Sequence, residues 1–249
     1  MHPEHWIFLS PHLDDVALSC GGLAWDLSRQ GCRVEVWTLM AGLPPDENFS
    51  TFAQQNHHAW GMSGKAAIRM RRAEDAVACR ILGVKRRHFD WLDAIYRRDP
   101  STGAPAVTSN AALFGAQPEA WLVDEIAALL HREIPGDAQV VFPLGIGDHV
   151  DHLAVTQAAQ GLLQKIYYYA DYPYILKRPN WPALKRGSLT KIPWFLNEDA
   201  LQHWVEAVLA YPSQITAFWE EPSLVPLAYR NYLAGGGGRL WQDTASSQG

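Results

Sequence analysis

One apolar run that stops against charge restricts the fold more than any other feature. Residues 6–10 (WIFLS) are apolar or small, and the next five bring in His12, Asp14 and Asp15. Leu18, Leu23, Trp25 and Leu27 then recur at helical spacing, with Gly21 and Gly22 among them, until Gly31 ends the pattern. The segment reads as a buried strand feeding a helix, with the charges at the junction. Two adjacent carboxylates repel, and drawing charge out of water is costly unless something cationic compensates. Taken alone, the cluster also fits carboxylates placed at a helix N-terminus, where the helix dipole favours them.

The pattern continues downstream. CRVEVWTLMA predicts a second strand, residues 63–83 an amphipathic helix, and VKRRHFDW a third strand. PEAWLVDEIAALLHREI is a helix, AQVVFPLG a strand, HVDHLAVTQAAQGLLQK a helix and IYYYADYPY a strand. Such alternation predicts an α/β fold, a Rossmann-like and mostly parallel sheet with helices on both faces. Ligands of such sheets bind beyond the carboxyl ends of the strands. The stretches 42–63 and 92–116 follow strands, so they are expected as long loops on that edge, placed as walls or lids.

After about residue 177 the pattern changes. The chain divides into an expected core, 1–176, and an aromatic-rich C-terminal extension packed on it, 177–249, whose last eight or so residues are expected to be disordered. In the extension LTKIPWFL reads as a strand and NEDALQHWVEAVLAYPS as a helix capped by Asn197. The chain holds 11 Trp, and Trp181, Trp194, Trp204, Trp219 and Trp241 fall in the last third. They read as core or subunit packing, or more sharply as a stacking surface for a sugar ring.

Composition excludes several classes. A net charge of −5 offers no basic field for nucleic acid or anionic membrane. No run approaches a membrane span, and the N-terminus has no signal-peptide pattern. Three scattered cysteines give no disulfide framework and fit a reducing cytoplasm. Cys20 and Cys79 read as small buried hydrophobes, with Cys20 a remote candidate as a metal ligand. The glycine pair belongs to no phosphate-binding motif and is expected to serve close helix–sheet packing. His57, His58 and His88 read as ordinary surface residues. Oligomeric state is not legible.

A second junction, FPLGIGDHVDHLAV, repeats the layout of the first: apolar strand, glycine-containing turn, polar cluster, helix. His149 and His152 are three apart and share a helix face. In a parallel sheet both junctions lie on one edge and can meet. Two histidines and a carboxylate with room for water make a catalytic zinc layout, with Fe2+ or Mn2+ as other occupants of such donors. His12, Asp15 and His152 are the expected ligands. A dication there offsets the aspartate pair. Asp14 is then free to take a proton from a metal-activated water, and His149, as imidazolium, to stabilise an oxyanion or protonate a leaving amine.

The paired motifs PHLDD…GG and HVDH resemble those of the LmbE-like, or PIG-L, superfamily of de-N-acetylases, over roughly residues 5–175. The resemblance implies the same ligand set, with Asp14 as general base and His149 as the charged or acid histidine. It also implies that Arg71, in RRAE with Glu74, binds substrate. An acid after the third strand, Asp93 or less favourably Asp90, is implied to support His149. The family's Pro and Glu are replaced by Leu13 and Val16, so the turn must be held differently. Some relatives carry an oxyanion-binding Tyr where this chain has Gly147; a substitute would come from Tyr167 to Tyr174. The expected function is zinc-dependent removal of an N-acetyl group from a GlcNAc-type small-molecule sugar or conjugate. The alternatives are a non-catalytic sugar-binding or scaffold protein, and a metal-dependent phosphoesterase.

Overall fold

The computed structural model describes residues 3–45, 48–62, 64–181 and 189–243. Five strands run parallel: β1 (His5–Ser10), β2 (Arg33–Thr38), β3 (Lys85–His88), β4 (Gln139–Pro143) and β5 (Lys165–Tyr169). Two short strands follow, β6 (Leu189–Lys191) and β7 (Leu240–Asp243). The sheet order is β3-β2-β1-β4-β5-β7-β6, with β7 antiparallel to both its neighbours. The segment after residue 177 thus contributes two strands to the same sheet.

β1 is buried along its whole length because both faces are covered. Ile7 and Leu9 enter a cluster with Leu122 and Ile126 of α5 (Ala120–Glu133) and with Ala154 and Val155 of α6 (Val150–Ala159). Trp6 and Phe8 face the other way, against Leu23 and Leu27 of α1 (Asp15–Arg29). The period-two alternation of a pleated strand feeds both layers at once.

β1 leads through α1 to β2 on one side, and β4 through α6 to β5 on the other. The chain therefore reverses its direction of travel between β1 and β4, where a crevice opens beyond the strand ends. Both polar junctions lie there.

Three expectations need correction. Stretch 42–63 is not all loop, since α2 (Thr51–Trp60) begins at Ser50, whose side chain accepts from Ala53 N at 3.1 Å. His57 on this helix is buried, with Nε2 2.8 Å from the Tyr96 hydroxyl, and His88 Nε2 lies 2.7 Å from Asp75, so neither is a plain surface residue. The glycine pair packs not on the sheet but on α8 (Glu198–Leu209). A Cβ on Gly21 or Gly22 would come within 2.8 Å of the Trp204 ring. Trp204 Nε1 donates to Ala17 O at 2.6 Å where α1 kinks at Cys20. Trp204, Tyr229, Tyr232 and Tyr172 form a buried aromatic core, so the late aromatics mainly pack the interior. The expected disorder of the final residues and much of the connector before β6 fall on 244–249 and 182–188, outside the described residues.

Candidate metal centre and active site

The turn after β1 is fixed locally. Ser10 Oγ donates to His12 O at 2.6 Å and accepts from Val16 N at 3.3 Å. Asp15 Oδ2 accepts from His12 N at 2.7 Å. Leu13 and Val16 are buried in the core, so Ser10 and Asp15 hold the turn where the resemblance would have placed a Pro and a Glu. Asp14 stands at the N-cap of α1 but makes no capping bond. The aspartates are therefore not there to cap the helix.

After β4 the chain turns through Gly145, Gly147 and Asp148, all at positive φ, Asp148 at 60°. Such a turn is strained for a side-chain-bearing residue, and it presents His149 and α6 to the crevice. His149 Nδ1 accepts from Asp151 N at 3.2 Å and caps α6.

The two turns meet. His12, His149 and His152 stand with ring centres 4.9 to 5.4 Å apart. Asp15 lies 3.4 Å from His12 Nδ1 through one oxygen and 3.4 Å from His152 Nε2 through the other. One donor atom from each of His12, Asp15 and His152 falls within 4.8 Å of the other two. The outward nitrogens are already engaged: His12 Nε2 lies 2.9 Å from Asp151 Oδ2, and His152 Nδ1 2.6 Å from Asp171 Oδ1. That leaves His12 Nδ1 and His152 Nε2 turned toward Asp15, each backed by a carboxylate, as in metal-binding histidines. This donor set fits a divalent ion. A second grouping, His12, His149 and Asp151, satisfies the same spacing. It fits less well, because Asp151 already accepts from Ala94 N and from Arg97 Nη1.

Charge is crowded here and almost wholly buried. Burial opposes the charged form of His152, but Asp15 and Asp171 outweigh it and lift its pKa to about 10. His12 is also raised, since Asp15, Asp151 and Asp93 overcome its burial. Burial raises Asp14 to about 6, against the pull of Arg71, whose Nη2 donates to Asp14 Oδ1 at 3.2 Å. Asp15 is pushed low despite burial, by His152 and His12. His149 is held neutral by burial and by the charge of His12. With Nδ1 accepting from Asp151 N, the neutral ring would carry its proton on Nε2 and act as a donor there, where the sequence suggested an imidazolium. The protons on His12 and His152 sit on the nitrogens that a dication would take.

The other expected residues fall as follows. Arg71 is buried against Asp14, and its Nε has no hydrogen-bond partner among the described residues. Asp93 Oδ2 is 3.8 Å from His12 Nε2, and its Oδ1 accepts from Ile95 N; no hydrogen bond to His149 occurs among the described residues. Asp90 is exposed and pairs with Arg72. Glu74 lies apart from the cluster, accepting from Ser213 N and Oγ at the start of α9 (Pro212–Phe218). Cys20 joins no candidate ligand group and packs in the core.

Four residues escaped the sequence reading. Asp151, inside HVDH, ties together His12, Arg97 and Ala94 N. Arg97 also forks onto Glu119 at 2.9 and 3.0 Å. Asp171, just past β5, orients His152 and accepts from Ile146 N. Its position beyond a parallel strand end was the available signal. Tyr174, on α7 (Tyr174–Lys177), fell within the stretch considered but could not be singled out. A Cβ at residue 147 would lie 2.8 Å from its ring, so the glycine makes room for it. The ring stands edge-on to His152, with centres 6.3 Å apart, and packs on Phe114, which also meets His149.

Comparison with known proteins agrees with this geometry. A family model described as PIG-L, GlcNAc-PI de-N-acetylase, matches residues 7–163. A 2'-N-acetylparomamine deacetylase from Niallia circulans is 32% identical over 187 residues, which cover 68% of this chain and 67% of the relative. A deacetylase of the teicoplanin biosynthesis pathway superposes with a TM-score of 0.75 at 27% identity, over 95% of this chain and 96% of that one. A teicoplanin deacetylase described as a zinc-inhibited form gives 0.74 at 26%, with the same coverage. These relatives are deacetylases, and no helix among the described residues is long and apolar enough to cross a membrane.

Proposed function

The chain belongs to the PIG-L family, and from that membership and the crevice geometry we propose that it is a metal-dependent hydrolase removing an N-acetyl group from an amino sugar or sugar conjugate. One observation carries the reading: His12, Asp15 and His152 offer converging donors, each histidine is braced from behind by a carboxylate, and Asp14 stands beside them without a capping role.

In this reading His12, Asp15 and His152 hold the ion. When bound, a divalent metal polarises an amide carbonyl and lowers the pKa of water. Zinc suits two imidazoles and a carboxylate, as do Fe2+ and Mn2+. The relative described as zinc-inhibited makes the metal a matter for direct comparison. Asp14 accepts the proton of the attacking water, and the Arg71 guanidinium holds it in register. Arg71 keeps its buried Nε for an acceptor on the substrate. His149, neutral, donates Nε2–H toward the tetrahedral oxygen. Tyr174 stands edge-on to the His152 ring. Burial beside Asp15 and Asp14 holds its phenol protonated, and its hydroxyl has no hydrogen-bond partner among the described residues, so it is a second donor for that oxygen.

The test is release of acetate and of a primary amine from a panel of N-acetylated amino sugars. The protein would be stripped with chelator and reloaded separately with Zn2+, Fe2+ or Mn2+. The expected result is amine release that needs metal and returns on reloading. Metal bound at this centre with no amine released from any member of the panel would favour the non-catalytic sugar-binding alternative.

A further inference from the structure

A second crowding of like charge lies outside the crevice. A cavity of about 240 Å³ opens between α7, β6, β7 and the glycine run Gly235 to Gly238 that follows α10 (Val225–Ala234). Lys191 and Arg239 line it, and no carboxylate does. Both cations flank one bare point on the loop. A Cβ at Gly236 would sit 3.4 Å from Lys191 Nζ and 3.6 Å from Arg239 Nη1.

Neither cation forms an ion pair among the described residues. Lys191 Nζ donates to Gly236 O at 3.1 Å and lies 4.9 Å above the Trp241 ring. The Arg239 guanidinium stands 5.8 Å from the Phe195 ring, and its Nε is buried with no hydrogen-bond partner among the described residues. Burial and the neighbouring Arg239 charge both push the Lys191 amine below its ordinary range. Several other surface arginines are paired, among them Arg87 with Glu133, Arg178 with Asp148 and Arg230 with Glu198. With a net charge of −5, acids were not scarce. Two facing cations with an unused buried donor want an oxyanion between them.

Apart from Asn231, the other side chains of the wall are apolar or aromatic, among them Ile175, Leu176, Tyr232 and Trp241. We propose that Lys191, Arg239 and the bare backbone at Gly236 form an oxyanion-binding site that takes a phosphate or a carboxylate carried on an apolar body. The absence of a side chain at residue 236 is what leaves the point between the cations open. The site is separate from the crevice, although α7 walls both.

Binding of inorganic phosphate and of benzoate is measured by calorimetry on the metal-loaded and the chelated protein. One site per chain is expected in both states. Lys191→Met and Arg239→Gln should each weaken it by about tenfold, the scale of one charge-assisted contact, and the double variant should abolish it. Gly236→Ala keeps both charges, fills the open point and should weaken binding too. Arg230→Gln, on a paired arginine, should change nothing. Tighter benzoate assigns the site to carboxylates on an apolar body, and tighter phosphate to phosphoryl groups. The proposal is overturned if neither anion binds, if the double variant binds both as the parent does, or if chelation removes the binding, which would place the anion on the metal. Thermal melts of each variant identify any that fails to fold, and Arg239→Lys, which keeps the charge, should retain binding where the others lose it.

Discussion

The crevice between β1 and β4 and the cavity beside the glycine run 235–238 both crowd like charges, but they resolve the crowding differently. In the crevice four aspartates, 14, 15, 151 and 171, are buried together, and the protein answers some of them itself. Asp151 has Arg97, and Asp14 has Arg71. Asp15, between two histidines, has the backbone N–H of His12, but its charge is answered only by imidazole protons that a metal would displace. In the cavity neither cation has a carboxylate partner among the described residues. The difference teaches how to read buried charge: a group satisfied within the chain is architecture, and one left for a ligand marks a site.

The contrast breaks most readily at Arg97, where it predicts the largest loss. This guanidinium is buried and bound to Asp151 and Glu119. Arg97→Gln strands a buried carboxylate, a change that costs about 3–5 kcal/mol. Chemical denaturation should show a correspondingly lower midpoint. A stability within error of the parent would mean that Asp151 is not answered internally, and that the second ligand grouping deserves preference.

Asp14→Asn comes next. The asparagine keeps the size and the contact with Arg71 but cannot take a proton. A loss in kcat on the order of 10²–10³, with metal content unchanged, is expected for a general base. Retained turnover would move the base elsewhere. Asp171→Asn acts at one remove, through the orientation of His152, and should weaken metal binding by about 10–100-fold. The readout is metal affinity by competition with a chromophoric chelator, which a purely structural role would leave alone.

Much of the crevice was legible because strand and helix periods are local. An apolar run that ends in polar residues marks a strand end, and parallel strands share an edge, so His12, Asp15 and His152 could be placed together from spacing. Asp171 obeys the same rule but hides inside YYYADYP, where aromatic residues dominate the pattern. Asp151 passed for filler between two histidines. The partner of Gly21 and Gly22 was beyond reading, because Trp204 is more than 180 residues away and no local signal links them. α2 was missed since the face that carries Phe52, Ala53 and Trp60 is interrupted by His57, which reads as polar. β7, four residues long, is too short to show alternation, and β6 is only the first three residues of the strand expected over LTKIPWFL.

Tyr174→Phe probes the crevice more gently. The ring packing over Gly147 survives, and one hydroxyl goes. Removal of a single oxyanion donor supplemented by others is expected to cost about tenfold in kcat, with KM and metal content unchanged. A variant with the parent's kcat would return the stabilising role to His149 alone.

The smallest effect is the sharpest foil. Arg239→Gln removes a cation as Arg97→Gln does, from the other region. Because Arg239 has no carboxylate to strand and faces Lys191, the substitution relieves repulsion instead of exposing an unanswered charge. Without added anion its stability should lie within about 0.5 kcal/mol of the parent, as for surface changes that break no buried pair. With saturating phosphate or benzoate the parent should gain more stability than the variant, by about the 1.4 kcal/mol that a tenfold weaker site forfeits, since stabilisation by a ligand scales with its affinity for the folded state. Two arginines would then be separated by one pair of melts: one whose loss is felt with no ligand present, and one whose loss is felt only when the ligand is there. If Arg239→Gln were as destabilising as Arg97→Gln, its charge would have a partner within the fold, and the cavity would rank with the architecture.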